Sequence, residues 1–173
     1  MPRFVALLRA INTPPRHVKM DRLRAIVEGA GFESVATYIA SGNVIFEAPD
    51  SDDIAARLED ALSEGLGFDV PVYLRGATEI AAVADVRPFG GEEANLEISF
   101  LPSVPDPGDV ERLVAATSGN DRLAVIGREV YWSHVGPRRE SAHSEGRVMR
   151  ALGMQTTQRS ATTVRRIADR FFR

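Results

Sequence analysis

Residues 37–46, TYIASGNVIF, constrain the fold of this chain more than any other stretch. Both halves of the run are rich in β-branched and aromatic residues, which are typical of strands. The halves meet at Ser41-Gly42-Asn43, where glycine and asparagine readily adopt the positive φ angles of a tight turn. The run therefore predicts a β-hairpin, with strands over residues 35–40 and 44–47.

The segments around this hairpin complete a βαββαβ order. Residues 3–8 are apolar without alternation, which is typical of a central strand buried on both faces. Apolar residues recur at helical spacing over residues 23–30 and 54–62, the second helix with Ser51 as its expected N-cap, and residues 70–75 form a last strand with Pro71 at an edge. Right-handed crossovers then predict a ferredoxin-like sheet with strand order 4-1-3-2 and both helices on one face.

The second half of the chain repeats this order of elements. A short helix near residues 78–84 is followed by a strand, a helix that Asp106 and Pro107 begin, a second hairpin across Gly127-Arg128, a helix, a short strand and a final helix. These elements are predicted at residues 96–100, 107–114, 123–126, 129–133, 141–152, 156–159 and 160–172. The sequence therefore predicts an α+β protein of two tandem ferredoxin-like units with antiparallel sheets, residues 1–76 and 92–173, joined by residues 77–91.

Three segments resemble the bacterial domain of unknown function 1697 (DUF1697) family. Residues 38–46 match its Tyr-Ile-x-Ser-Gly-Asn-Val-x-Phe signature. Residues 7–15, LLRAINTPP, resemble Leu-Leu-Arg-Gly-Ile-Asn-Val-Gly-Gly, with a rigid Pro14-Pro15 in place of the two glycines. Residues 157–164, TQRSATTV, resemble Thr-x-Arg-Asn-Trp-x-Thr-Val. The resemblance implies a bacterial protein whose activity is not assigned.

Composition narrows the chemistry that is available. The chain has no cysteine, which excludes disulfides, thiolate nucleophiles and thiolate metal sites. It has no apolar run of the roughly 18 residues that a membrane helix needs, so we expect a cytoplasmic protein without membrane contact. The net charge is only −3, although residues 1–121 hold 10 Arg and Lys against 20 Asp and Glu, and residues 122–173 hold 11 Arg against 4. This asymmetry indicates either an anionic partner or attraction between the two halves.

Polar and cationic side chains follow the first strand and recur in the first hairpin. A βαββαβ unit brings these two loops to the same end of the sheet, so they offer guanidinium, amide and hydroxyl groups to a small anionic or phosphorylated ligand. The predicted ligand-binding residues are Arg9, Asn12, Arg16, Lys19, Ser41 and Asn43. The alternative is a solvated loop beside a turn whose Ser and Asn satisfy their own backbone.

Arg159 and Ser160 are a second pair of candidate binding residues. They precede the last helix, whose first N–H groups, together with a guanidinium and a hydroxyl, form an anion site. The alternative is that Ser160 or Thr162 is a plain helix cap.

Other functional classes have less support. His134 and His143 are spaced unlike any standard metal pair, and no nucleotide, dinucleotide or hydrolase motif occurs, so no metal and no cofactor are predicted. The aromatic content is low and the hairpin lacks the pattern of an RNA-recognition module, so nucleic acid is not the favoured partner. An enzyme of unrecognised class and a nucleic-acid or protein-interaction module stay open as alternatives, and the sequence does not decide the oligomeric state.

Overall fold

The computed structural model describes residues 1–91, 93, 95–117, 119–141 and 143–173. Residue 92, the predicted start of the second unit, and residue 142, in a predicted helix, lie outside the described residues. The chain divides into two compact units, the first formed by Met1–Ala82 with Ile167–Arg173, and the second by Val83–Arg166. None of the described helices is long and apolar enough to cross a membrane.

The first half of the chain follows the predicted order of elements. They are β1 (Arg3–Leu8), α1 (Met20–Gly29), β2 (Glu33–Tyr38), β3 (Asn43–Glu47), α2 (Ile54–Leu66), β4 (Val72–Gly76) and α3 (Ala77–Asp85). The four strands form one antiparallel sheet in the order β2-β3-β1-β4. This is the predicted order 4-1-3-2, which is therefore confirmed.

The second half repeats the arrangement. Its elements are β5 (Leu96–Phe100), α4 (Pro107–Ala115), β6 (Asp121–Ile126), β7 (Glu129–His134), α5 (Glu145–Leu152), β8 (Thr157–Ser160) and α6 (Ala161–Phe171), with a short 3-10 turn at Arg138–Glu140. Its sheet has the order β6-β7-β5-β8. The predicted α+β class, with two four-stranded antiparallel sheets in βαββαβ-like units and a C-terminal helix, is confirmed.

Strand β1 has buried side chains on both of its faces. Phe4, Ala6 and Leu8 belong to the core that also contains Leu23 of α1 and Leu58 of α2. On the other face, Val5 and Leu7 are also fully buried. A strand buried on both faces has no need of polar alternation, which explains its uninterrupted apolar sequence.

The helix starts differ from the sequence prediction in two places. Ser51 is not the N-cap of α2, because the helix begins after Asp53 and the Ser51 hydroxyl contacts the Asp53 carboxylate instead. Helix α5 begins at Glu145, where the Ser144 hydroxyl accepts a hydrogen bond from the Arg147 N–H at 3.2 Å. The predicted cap of α4 is confirmed, since Oδ1 of Asp106 accepts from the Gly108 N–H at 2.8 Å.

Candidate functional site

The segment between β1 and α1, residues 9–19, carries positive charge and no acidic residue. We call this segment the cationic loop. Its charged side chains are Arg9, Arg16 and Lys19, beside His17. The loop lies at the same end of the first sheet as the β2–β3 turn, because the Leu8 N–H donates to the Gly42 carbonyl at 2.8 Å. The predicted meeting of loop and hairpin thus has a direct structural basis.

Asn12 joins the cationic loop to the hairpin turn. Its Nδ2 donates to the Ala40 carbonyl at 2.6 Å, and its Oδ1 accepts from the Val18 N–H at 2.7 Å. Both ends of the amide are therefore used within the protein. The side chain fixes the shape of the loop across six residues and ties it to the turn.

Asn43 has a similar role inside the turn. It is fully buried, and its Nδ2 donates to the Tyr38 carbonyl and to the Ser41 hydroxyl oxygen, each at 2.9 Å. A buried amide needs such partners, because an unsatisfied polar group is costly away from water. The hydrogen bonds that Asn43 donates agree with the alternative to ligand binding, in which Ser41 and Asn43 satisfy polar groups of their own turn.

Gly42 is required by the close approach of the loop to the turn. Its φ of 81° lies in the left-handed region. A Cβ at this position would lie 2.6 Å from Cγ2 of Ile11 and 3.1 Å from Cβ of Leu8, distances that would force the chain segments apart. The signature glycine therefore allows the cationic loop to pack against the hairpin.

The cations of the loop differ in their surroundings. Arg9 is half-buried, and its backbone N–H donates to the Pro71 carbonyl at 3.1 Å. The guanidinium of Arg16 lies 4.2 Å from the centre of the Phe68 ring, a cation–π contact that limits its freedom. Lys19 is exposed at the N-cap position of α1, where its side chain makes no capping bond.

Arg159 and Ser160 belong to the second unit. Arg159 is buried, and its Nη1 donates to the Thr157 hydroxyl at 2.9 Å and to the Gln158 carbonyl at 2.8 Å. Burial lowers the pKa of Arg159 to about 10, an effect that the carboxylate of Glu145 opposes. The Ser160 hydroxyl accepts from the Thr163 N–H at 3.2 Å, as a cap of α6 does.

A cluster around Asp121 was not anticipated from the sequence. In the part of the chain that the structure describes, Oδ1 of this buried carboxylate accepts from Nδ1 of His134 at 2.7 Å, from the Ser141 hydroxyl at 2.6 Å and from Nε1 of Trp132 at 3.4 Å. Because an ionised carboxylate only accepts, Nδ1 of His134 carries the hydrogen of this bond, and the other ring nitrogen is Nε2. Within the described residues, that Nε2 is buried and has no hydrogen-bond partner.

Strand register could have revealed this cluster. Asp121 and His134 are directly paired across the second hairpin, five steps beyond the closing pair of Ile126 and Glu129. Counting outward from the Gly127-Arg128 turn therefore brings the carboxylate and the imidazole together, although the two residues match no motif.

His143 lies in the same cluster, on the segment that leads into α5. The Thr117 hydroxyl donates to the Leu113 carbonyl, so its oxygen accepts from Nε2 of His143 at 2.9 Å. Nδ1 of His143 is buried and has no partner in the part of the chain that the structure describes. Burial lowers the pKa of His143, and Arg147 lowers it further, whereas Asp121 raises it.

The paired Asp121 and His134 resemble a carboxylate-oriented base, in which Nε2 of the imidazole is buried. A cavity of about 360 Å³ beside them is lined in part by Arg122, Ser133 and His134. Register pairs Arg122 with Ser133 and Asp121 with His134, so the imidazole and the Ser133 side chain point to opposite faces of the sheet. The Ser141 hydroxyl links His143 to this cluster, because it donates to Asp121 and accepts from the His143 N–H at 3.1 Å. The described residues also contain no group of three or more acidic or histidine side chains that could hold a metal ion.

Comparison with known proteins gives both a family match and a structural match for this chain. A family model described as a protein of unknown function (DUF1697) matches residues 1–131. A solved structure of a conserved bacterial protein, SP0830 from Streptococcus pneumoniae, is similar over 98% of this chain and 97% of that chain, with a TM-score of 0.80 and 23% sequence identity, a likeness that shows a shared fold. No curated protein matches the sequence. Because the family model covers most of the chain, including the cationic loop and the hairpin, the protein belongs to the DUF1697 family.

Proposed function

We propose that this protein binds a small anionic or phosphorylated ligand at the cationic loop of its first unit. The observation that supports the proposal is a pair of cations on one short loop, without an anionic partner in the described part of the chain. Asn12 ties the loop to the hairpin, and among the described residues no carboxylate pairs with Arg16 or Lys19. Two positive charges on a loop that Asn12 ties to the hairpin form an arrangement that an anion stabilises.

The chemistry of the two side chains suits an oxyanion. The guanidinium of Arg16 presents a planar fork of donors that matches phosphate or carboxylate, and its contact with Phe68 reduces the entropy lost on binding. Lys19 adds a compact charge with three donors. A charge-assisted hydrogen bond from such groups contributes about 1.5–3 kcal/mol.

The other proposed residues have supporting positions. Asn12 and Asn43 hold the loop and the turn in place, while Arg9 is half-buried and Ser41 is exposed. The residues proposed here belong to the first unit, and Arg159 and Ser160, in the second unit, stay a separate prediction of an anion site.

Calorimetric titration with inorganic pyrophosphate tests the proposal. The proteins are the wild type, Arg16→Met and Lys19→Met, with Arg166→Met as a control because Arg166 is exposed on α6, away from the cationic loop in sequence. We expect each loop variant to bind about tenfold more weakly or worse, since each loses a charge-assisted contact. The control should bind as the wild type does, at both low and physiological salt.

Two results would contradict the proposal. One is unchanged affinity in both loop variants. The other is an equal loss in the Arg166→Met control, which would indicate general attraction to positive charge instead of a site. Alanine at Asn12 is a poorer test of binding, because that amide holds the loop and its loss changes the structure as well.

A further inference from the structure

Ile39, in the turn between β2 and β3, has a conformation that its residue type disfavours. Three described non-glycine residues have positive φ, namely Ala10, Ser34 and Ile39, and Ile39 alone is β-branched. Its φ is 51°, where the branched Cβ crowds the backbone. Its side chain is nevertheless 51% exposed, so contacts within the protein only partly compensate for this strain.

Two asparagine side chains hold Ile39 in this conformation. Asn43 donates to the carbonyl of Tyr38, and Asn12 donates to the carbonyl of Ala40. The Tyr38 carbonyl belongs to the peptide group that precedes Ile39, and the Ala40 carbonyl belongs to the Ala40–Ser41 peptide group. The backbone is thus held before Ile39 from within the hairpin and one residue after it from the cationic loop. A residue keeps a strained backbone conformation only where the surrounding contacts enforce it. Such residues are concentrated at functional sites.

We propose that Ile39 is a ligand-contact residue of the cationic-loop site, and that the ligand is an organic phosphate with an apolar body. This inference rests on the proposed function, because it requires an anion at Arg16 and Lys19. Ile39 directly precedes Ala40, whose carbonyl accepts a hydrogen bond from Asn12 of the loop that carries these cations, and the Ile39 side chain is exposed. The phosphate is bound by the two cations, and the apolar body covers Ile39, which removes its exposed surface from water.

Phenyl phosphate and inorganic phosphate, titrated in parallel, test this inference. We expect the wild type to bind phenyl phosphate about fivefold or more tightly than inorganic phosphate, the fold-change that roughly 1 kcal/mol of apolar burial gives. Ile39→Asn should bind the two probes equally. The same variant should raise the melting temperature by roughly 2–5 °C, because asparagine tolerates positive φ. The matched control is Ile126→Asn in the second hairpin, where a similarly exposed isoleucine without positive φ is replaced.

The possible results separate the two proposals. A preference for phenyl phosphate that Ile39→Asn removes and Ile126→Asn keeps supports the inference. Equal binding of both probes by the wild type overturns the role of Ile39 while leaving anion binding intact. A lower melting temperature in Ile39→Asn overturns the inference as well, because it would show that the Ile39 side chain stabilises the folded protein. Absence of binding by either probe overturns both proposals.

Discussion

Arg75 and Arg159 occupy equivalent positions in the two units. Each lies on the last strand of its sheet, paired with the third residue of the first strand, Val5 or Ile98. Each is buried and donates from Nη1 to the carbonyl of the residue before it at 2.8 Å. Each also stands two residues before a helix, α3 or α6. The duplication therefore extends to the placement of one buried charge, which the backbone helps to satisfy.

Alanine should be tolerated less well at Gly42 than at Gly67. Both glycines have left-handed φ angles, 81° and 80°, so either substitution adds strain. A Cβ at Gly42 would also lie 2.6 Å from Cγ2 of Ile11, whereas nothing lies within 4 Å of one at Gly67. Urea denaturation should show losses in the free energy of unfolding of about 2–4 kcal/mol for Gly42→Ala and about 1 kcal/mol for Gly67→Ala. Equal losses would contradict the steric requirement.

Glycine at Ala10 should stabilise the protein. Ala10 has a φ of 54°, which glycine adopts without strain. We expect a gain of roughly 0.5 kcal/mol in the free energy of unfolding, because relief of strain exceeds the added flexibility of the unfolded chain. Ala56→Gly, at an exposed position of α2, is the control and should lose about 1 kcal/mol. Destabilisation by both substitutions would show that Ala10 is not strained.

Amide exchange at Val18 should report on Asn12. The Val18 N–H is protected by Oδ1 of Asn12, so Asn12→Ala should expose it to solvent and speed its exchange. Asn12→Asp retains the acceptor and should keep most of this protection, although it loses the bond to the Ala40 carbonyl. Slow exchange in the alanine variant, measured by NMR, would show that other contacts hold the loop.

Acidification should weaken the second unit through His143. The pKa of His143 in the folded protein is lowered by burial, so below its ordinary value of 6.5 the unfolded chain binds a proton that the folded chain does not. The contribution of His143 to stability is therefore complete above about pH 6.5 and falls as the pH decreases through the window below it. Replacing His143 by Gln should flatten the dependence of the unfolding free energy on pH between about pH 7 and 5.

His17 provides the control for this measurement. His17→Gln is the matched variant, because it also replaces one histidine by glutamine, at an exposed position of the cationic loop. An identical pH dependence in His143→Gln and the wild type would show that another group governs acid sensitivity.

The sequence predicts the sheets better than it predicts the site. Strand β1 and the turn at Ser41-Gly42-Asn43 follow from local signals, namely an apolar run and residues suited to positive φ. The strain at Ile39 has no such signal, because two amides, one of them from a distant loop, impose a conformation that its own propensity opposes. The cluster around Asp121 depends in the same way on strand register, which joins side chains that are far apart in the sequence.

The first unit combines two segments that are far apart in the sequence, and this affects the order in which the protein folds. Residues Ile167–Arg173 are part of that unit, in which Nη1 of Arg3 donates to the Phe171 carbonyl at 2.8 Å and Tyr38 meets the Phe171 ring edge-on. During synthesis, β1 leaves the ribosome long before α6 exists. The first unit is therefore completed only after α6 has been synthesised, so its final assembly does not simply proceed from the N-terminus onward.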